Sequence, residues 1–260
     1  MVLALRWHGA VAHVELSRPE RMNALNGELI AALVETGTML AARRDCRAVV
    51  LSGAGRGFCS GIDLDALRSA SAGGKRSIDI ETSVAGGANV AQQAVLQWHD
   101  LAVPVIAAVH GVAFGGGLQL ALGADLRIVA PDARLAFMEV KWGLVPDMAG
   151  MVLLPGLLRP DLLADLVFTG RVFDGEEAVR LGLATRTAAD PVAAALEQAA
   201  AITALSPDAV RAAKRLMRSG GGREATLRAE AVEQAALFGA PNQREAVAAA
   251  MAGRAPIFVN

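Results

Sequence analysis

Cysteine is scarce: among 260 residues only Cys46 and Cys59 carry a thiol. Two are too few for a disulfide scaffold, and no C-x-x-C spacing offers zinc ligands. Both read as small buried side chains of a protein kept in a reducing compartment. An excess of charge is also lacking. The 25 basic residues nearly cancel the 26 acidic ones, for a net charge of −1. Nothing in that balance points to nucleic acid or an anionic membrane as the main partner. No apolar run reaches the ~18 residues of a membrane span. The opening "MVLALRWHGAVAHVEL" has no basic leader before a long apolar stretch, so no signal peptide is expected. A cytoplasmic protein is expected. What is abundant is apolar surface, 53% of the residues. That suffices for a sizeable core in one large domain, or a domain with a small appendage.

Residues 2–7 and 11–16 are apolar and β-like and predict a hairpin with His8 and Gly9 in the turn. Asn26 reads as the cap of a helix over 27–43. Three short apolar stretches, 47–53, 104–111 and 125–130, read as strands alternating with helices, an α/β pattern. Residues 69–88 are rich in Gly, Ser and Ala and read as a mobile surface segment. Asp174 and Glu177 form a D-x-x-E cap pattern. Ser206, Pro207 and Gly220 read as the cap, first position and stop of another helix. From about residue 190 onward the pattern is all-helical.

Two glycine-rich segments follow strands: "LSGAGRGFCSGIDL" (51–64) and "HGVAFGGGLQLALGAD" (110–125). Three consecutive glycines, Gly115 to Gly117, open a helix that glycine disfavours. The phosphate readings fail. A Walker loop needs a lysine that neither segment has, and Phe58 stands where a dinucleotide fingerprint needs its third glycine. A nucleophile elbow also fails, because Ser60 falls one place late between Gly57 and Gly61. Two uses of bare backbone remain. One is an oxyanion hole, two N–H groups converging on a carbonyl oxygen, with a helix dipole behind Gly116. The other is close helix–strand packing.

The order "GRGFCSGIDL", "IAAVHGVAFGGGLQLALGADLRI", "MEVKWGLVPDMAG" resembles the crotonase (enoyl-CoA hydratase/isomerase) superfamily, and the likeness runs over nearly the whole chain. The resemblance implies an α/β fold with a ββα spiral core over residues 1–190 and a helical region over 191–260. That region would build a trimer, or two stacked trimers. It also implies an acyl-CoA thioester whose carbonyl is held as an enolate by the N–H groups of Ser60 and Gly116. Gly61, Ile62 and Asp63 would lie along the coenzyme A, with Met22 and Ala24 on its other side. No metal and no separate cofactor is implied.

Hydratases of that family carry two glutamates. Here Gln119 stands at the first position and Glu139 at the second. An amide holds water but exchanges no proton near neutral pH. The resemblance therefore implies a 3-enoyl to 2-enoyl isomerase with Glu139 as proton shuttle. Asp147 resembles the aspartate of dienoyl-CoA isomerases. Structural alternatives stand beside these roles: Glu139 as a partner of Lys141, Asp147 as cap of a helix near Met148, and Gln119 as a core amide. A hydratase or a non-catalytic acyl-CoA binder is the alternative function. His110, Asp125, Arg127, Trp98 and His99 read as structural or rim residues.

Overall fold

The structure is a computed structural model that describes residues 1–74 and 78–260. Of the 69–88 segment, residues 75–77 lie outside the described residues. The chain begins with the hairpin β1 (Leu3–His8) and β2 (Val11–Leu16). His8 still pairs with Val11, so the turn falls on Gly9 and Ala10 rather than on His8. The remaining strands are β3 (Ala48–Gly53), β4 (Val105–Val109), β5 (Val112–Phe114), β6 (Leu126–Val129), β7 (Arg134–Ala136) and β8 (Arg186–Thr187). One sheet has the order β1-β2-β3-β4-β6-β8, antiparallel at β1–β2 and parallel elsewhere. β5 and β7 pair in parallel as a second, small sheet. The sequence pattern missed β5, β7 and β8, since strands of two or three residues carry no periodicity to read.

The helices are α1 (Gly27–Ala41), α2 (Leu64–Ser71), α3 (Val90–Asp100), α4 (Gly116–Leu122), α5 (Gly150–Leu153), α6 (Pro160–Thr169), α7 (Gly175–Leu181), α8 (Pro191–Thr203), α9 (Pro207–Arg218), α10 (Arg223–Leu237) and α11 (Pro241–Met251). Asn26 caps α1 through its side chain, which accepts from Leu29 N at 2.9 Å. The helix stops at Ala41, short of 43, because Leu40 is its last buried residue and exposed Arg43, Arg44 and Asp45 follow. Asp174 caps α7 by accepting from Glu177 N at 2.7 Å. The reciprocal half of that cap is missing, because the Glu177 carboxylate is taken by Arg171. Ser206 makes no cap bond through its hydroxyl, and α9 ends at Arg218 with Ser219, not Gly220, as its C-cap.

The central strands alternate inward to both faces. Val49, Leu51, Val105 and Ala107 join a core with Leu29 and Leu33 of α1, Val95 and Trp98 of α3, and Leu118 of α4. Ala48, Val50, Ile106 and Ala108 face Ala195 and Ala199 of α8. Strands covered on both faces read as unbroken apolar runs, as β3 and β4 do. Lys214 of α9 donates to Asp125 Oδ2 at 2.7 Å and to Val103 O at 2.8 Å, tying the helical region to the sheet. Asp125 and Arg127 are structural: Asp125 also accepts from Val105 N and Arg218, and Arg127 donates to Leu183 O and Ala124 O. Cys46 and Cys59 are free and buried, and burial pushes the Cys59 thiol up to about 12. Among the described residues no helix is long and apolar enough to cross a membrane.

Candidate active site

The site forms where the two glycine-rich segments meet. Cys59 pairs with Ala113 at the edge of β5: Cys59 N donates to Val112 O, and Phe114 N to Cys59 O, each at 3.0 Å. At Gly61 the chain leaves this partner. Its φ is +88°, and a side chain there would lie 2.6 Å from Phe114 O. The next residues pair with Leu25: Leu25 N donates to Gly61 O at 2.7 Å, and Asp63 N to Leu25 O at 2.9 Å. In a parallel bridge of this kind both bonds flank Ile62. The N–H of Ile62 therefore points away from Leu25, and it makes no hydrogen bond among the described residues.

Ser60 differs from the expectation. Its N–H donates to Met22 O at 2.9 Å, so it is committed inside the protein and is not a free donor. Its hydroxyl lies 3.5 Å from Arg21 O. Among the described residues the N–H of Ile62, two positions after Ser60, is left without a partner in this loop. The alternation of inward and outward N–H groups depends on which partner the chain follows, and that partner changes at Gly61.

The glycine triplet has three different reasons for being bare. Gly115 precedes α4 with φ +51° and ψ −122°, a conformation a side chain rarely adopts. A side chain there would also meet Glu139 Oε1 at 3.3 Å. The N–H of Gly116 has no partner among the described residues, and its α-carbon is covered by the Met148 thioether and Leu25: an added Cβ would lie 2.6 Å from Met148 Sδ and 3.0 Å from Leu25 Cδ1. Gly117 packs against backbone, 2.4 Å from Cys59 O to where its Cβ would be. Close packing accounts for Gly117 and also touches Gly116, which in addition has an N–H with no partner among the described residues.

Gln119 lies one turn into α4, fully buried. Its Oε1 accepts from Met148 N at 2.9 Å and from Gly150 N at 3.0 Å. Two backbone donors fix which end of the amide is oxygen. The NH2 end must then face Glu139, and Nε2 donates to Glu139 Oε1 at 2.6 Å. Glu139 sits at the start of a 3-10 turn, Glu139–Trp142, and is 9% exposed. Its second oxygen, Oε2, is buried and has no hydrogen-bond partner among the described residues. Burial raises the Glu139 pKa above the ordinary carboxylate value; the backbone and Gln119 hydrogen bonds pull it down in part, and the Asp147 charge pushes it further up. Among the described residues Glu139 forms no ion pair with Lys141; its partner is Gln119.

Asp147 does not cap a helix. α5 starts only at Gly150, and the position before it is Ala149, left-handed at φ 65°, with no side-chain cap. The Asp147 residue is exposed by surface area, yet the protein crowding its carboxyl raises its pKa as well. Met22 is left-handed too, at φ 51°; its carbonyl accepts from Ser60 and that of Ala24 from Arg18. The Asp63 carboxylate is likewise spent inside the protein, on Arg18 at 3.0 Å and on Asp65 N at 3.1 Å. Burial would raise its pKa, but these partners together hold it below the ordinary value. The His110 side chain bonds to Gly55 O at 3.0 Å. Trp98 is core, and His99 pairs with Asp100. Among the described residues no group of three or more His, Cys, Asp or Glu comes together to hold a metal.

Three contributors went unread in the sequence: Arg18, Asn23 and Met148. Asn23 is fully buried and left-handed at φ 55°. Its Nδ2 donates to Ala54 O and Gly57 O at 2.9 Å, fastening the first glycine loop. Asparagine next to a proline turn is a signal for such a left-handed position.

Unpaired donors from two loops beside a buried carboxyl can stabilise the oxygen of an enolate and move a proton at its carbons. The sequence profile described as enoyl-CoA hydratase/isomerase matches residues 6–254. The chain belongs to the enoyl-CoA hydratase/isomerase family, within the crotonase superfamily, and has its mixed α/β fold. It is 38% identical to the Mycobacterium tuberculosis protein named probable enoyl-CoA hydratase EchA14, over 80% of this chain and 78% of that one. It is 34% identical to carnitinyl-CoA dehydratase of Proteus mirabilis, over 84% of this chain and 80% of that one. It is 36% identical to mouse mitochondrial Delta(3,5)-Delta(2,4)-dienoyl-CoA isomerase, over 78% of this chain and 64% of that one. Among solved structures, enoyl-CoA hydratase from Bacillus anthracis superposes with a TM-score of 0.87 at 26% identity, covering 99% of each chain. The protein is an enzyme of this family, and an acyl-CoA thioester is the substrate class the family implies.

Proposed function

We propose that the enzyme is a double-bond isomerase, converting 3-enoyl-CoA to 2-enoyl-CoA. The observation that carries this reading is the state of Glu139: a buried carboxyl with Oε1 held by Gln119 and Oε2 unpartnered. The N–H groups of Ile62 and Gly116 would hold the thioester oxygen. Glu139 Oε2, ionised, takes the proton from the carbon alpha to the thioester. The C–H electron pair passes into the enolate, and its charge settles on the oxygen between the two donors. The double bond then shifts as Oε2 returns the same proton at the gamma carbon. No proton or electron is gained or lost overall. Oε1 must keep accepting from Gln119, so the proton rides on Oε2. A neighbouring amide leaves one proton carrier in the site, which suits a shuttle better than the addition of water.

Asp147 favours a second form of the same chemistry. Its charge already raises the pKa of Glu139, and a second acid there would let a dienoyl substrate exchange protons at two more distant carbons. The test is absorbance with purified enzyme. Isomerisation of a 3-enoyl thioester creates the conjugated chromophore, and hydration of a 2-enoyl thioester removes it. Faster hydration of 2-enoyl-CoA than isomerisation of 3-enoyl-CoA would sink the isomerase reading in favour of a hydratase.

The assembly completes the proposal. α10 buries no residue in this protomer and exposes Leu227 and Val232, with Phe238 just beyond it. A trimer, or two stacked trimers, would cover them; a monomer in sedimentation at micromolar concentration would exclude it.

A further inference from the structure

We infer that Met148 is a specificity-determining residue that restricts the enzyme to short acyl chains; this rests on the thioester being held at Gly116. Glu139 can serve the alpha and gamma carbons only if the acyl chain leaves Gly116 on the Glu139 side. Gln119 ties Met148 to that same side, because its one amide holds both Glu139 Oε1 and Met148 N. The Met148 thioether then covers Gly116 so closely that a Cβ there would be 2.6 Å from Sδ. Leu25 closes the other flank, 3.0 Å from the same point. Met148 is 7% exposed, and its main chain is held in place: Gly150 N bonds to the same Gln119 oxygen, and Ala149 between them is left-handed. An unbranched thioether fills such a gap well. A short acyl group fits beside it; a long one has to displace it.

Saturated acyl-CoA thioesters test this without any turnover. Burial of each methylene in an open apolar pocket tightens binding about fourfold. Isothermal titration of wild type with butyryl-, octanoyl- and dodecanoyl-CoA should show almost none of that gain. Met148→Ala should recover it, tightening octanoyl-CoA at least about tenfold relative to butyryl-CoA, with affinity for free coenzyme A unchanged. Met148→Val keeps more of the packing and should shift the profile the same way by a smaller factor, so the inference stays testable if the alanine variant does not fold. A chain-length profile in the folded variant that matches wild type within about twofold overturns the role of Met148 alone. Failure of wild type to bind any acyl-CoA overturns the thioester reading as well. An isomerase or hydratase outcome in the turnover assay leaves this titration unaffected.

Discussion

The donor side of the site is made of backbone, and the acid side of side chains. On the donor side the identities of Ser60 and Ile62 matter little; what matters is which way each N–H points. Leu25 takes the carbonyl of Gly61 and the N–H of Asp63, and Ile62 is left facing the other way. On the acid side the identity of every group matters. An amide at 119 fixes its oxygen on two backbone N–H groups and presents its nitrogen to Glu139. Substitution of side chains is therefore expected to be tolerated in the first half and not in the second. A site of this kind can keep its substrate class while changing its reaction, because the two halves are encoded separately.

The largest effect is expected on the acid side. Glu139→Gln removes the buried carboxyl beside Gly115 and should lower isomerase kcat by ~100-fold or more. Measured acyl-CoA binding should hold, since the donors are untouched; a variant with more than a tenth of wild-type kcat would move the shuttle elsewhere. On the donor side, Gly116→Pro deletes an N–H at the first helical position, where proline suits the backbone although its ring must push the Met148 thioether aside. A loss of about 3 kcal/mol of transition-state stabilisation is expected, read as kcat/KM with circular dichroism confirming the fold. Ser60→Ala is its control and should stay within about twofold, because the Ser60 N–H is already bonded to Met22. A dead Ser60→Ala would make the hydroxyl catalytic and break the contrast between the two halves.

Gln119→Glu sharpens the comparison further. The new carboxyl would keep one oxygen on Met148 N and Gly150 N and set the other against Glu139 Oε1, where Nε2 now lies at 2.6 Å. Two carboxyls at that distance must share a proton. Hydration of 2-enoyl-CoA should rise, with acyl-CoA affinity within about tenfold, or ~1.4 kcal/mol, of wild type. No gain in hydration, in a wild type that already hydrates faster than it isomerises, would end the isomerase reading.

The smallest effect concerns pH. Glu139 acts as a base only when ionised, and burial raises its pKa, so kcat/KM should rise with pH through a limb above the ordinary carboxylate range. The Asp147 charge adds to that rise. Asp147→Asn removes it, so the limb should move to lower pH. A limb that stays in place would show that Asp147 does not act on Glu139.

The main elements were legible in the residues. β3 and β4 are short apolar runs, the Asn26 and Asp174 caps have their oxygens in place, and Glu139 and Gln119 stand at readable positions. Less legible were β5 and β7, each three residues long, although they carry the chain to Gly115 and towards Glu139. The exchange of Ser60 for Ile62 has the same origin. A sequence shows that glycines make a bare loop, but an N–H is free only after every partner of its neighbours has been assigned.

By itself, then, the sequence determined the α/β core, the family and the chemical character of the acid side, because periodicity, capping residues and side-chain identity are local properties written at each position. Only the tertiary structure decided which N–H groups are unpaired, which end of the Gln119 amide meets Glu139, and that Met148 lies over Gly116. Each of these depends on a contact between segments far apart in the chain, and hydrogen-bond direction and packing distance exist only once those segments have met.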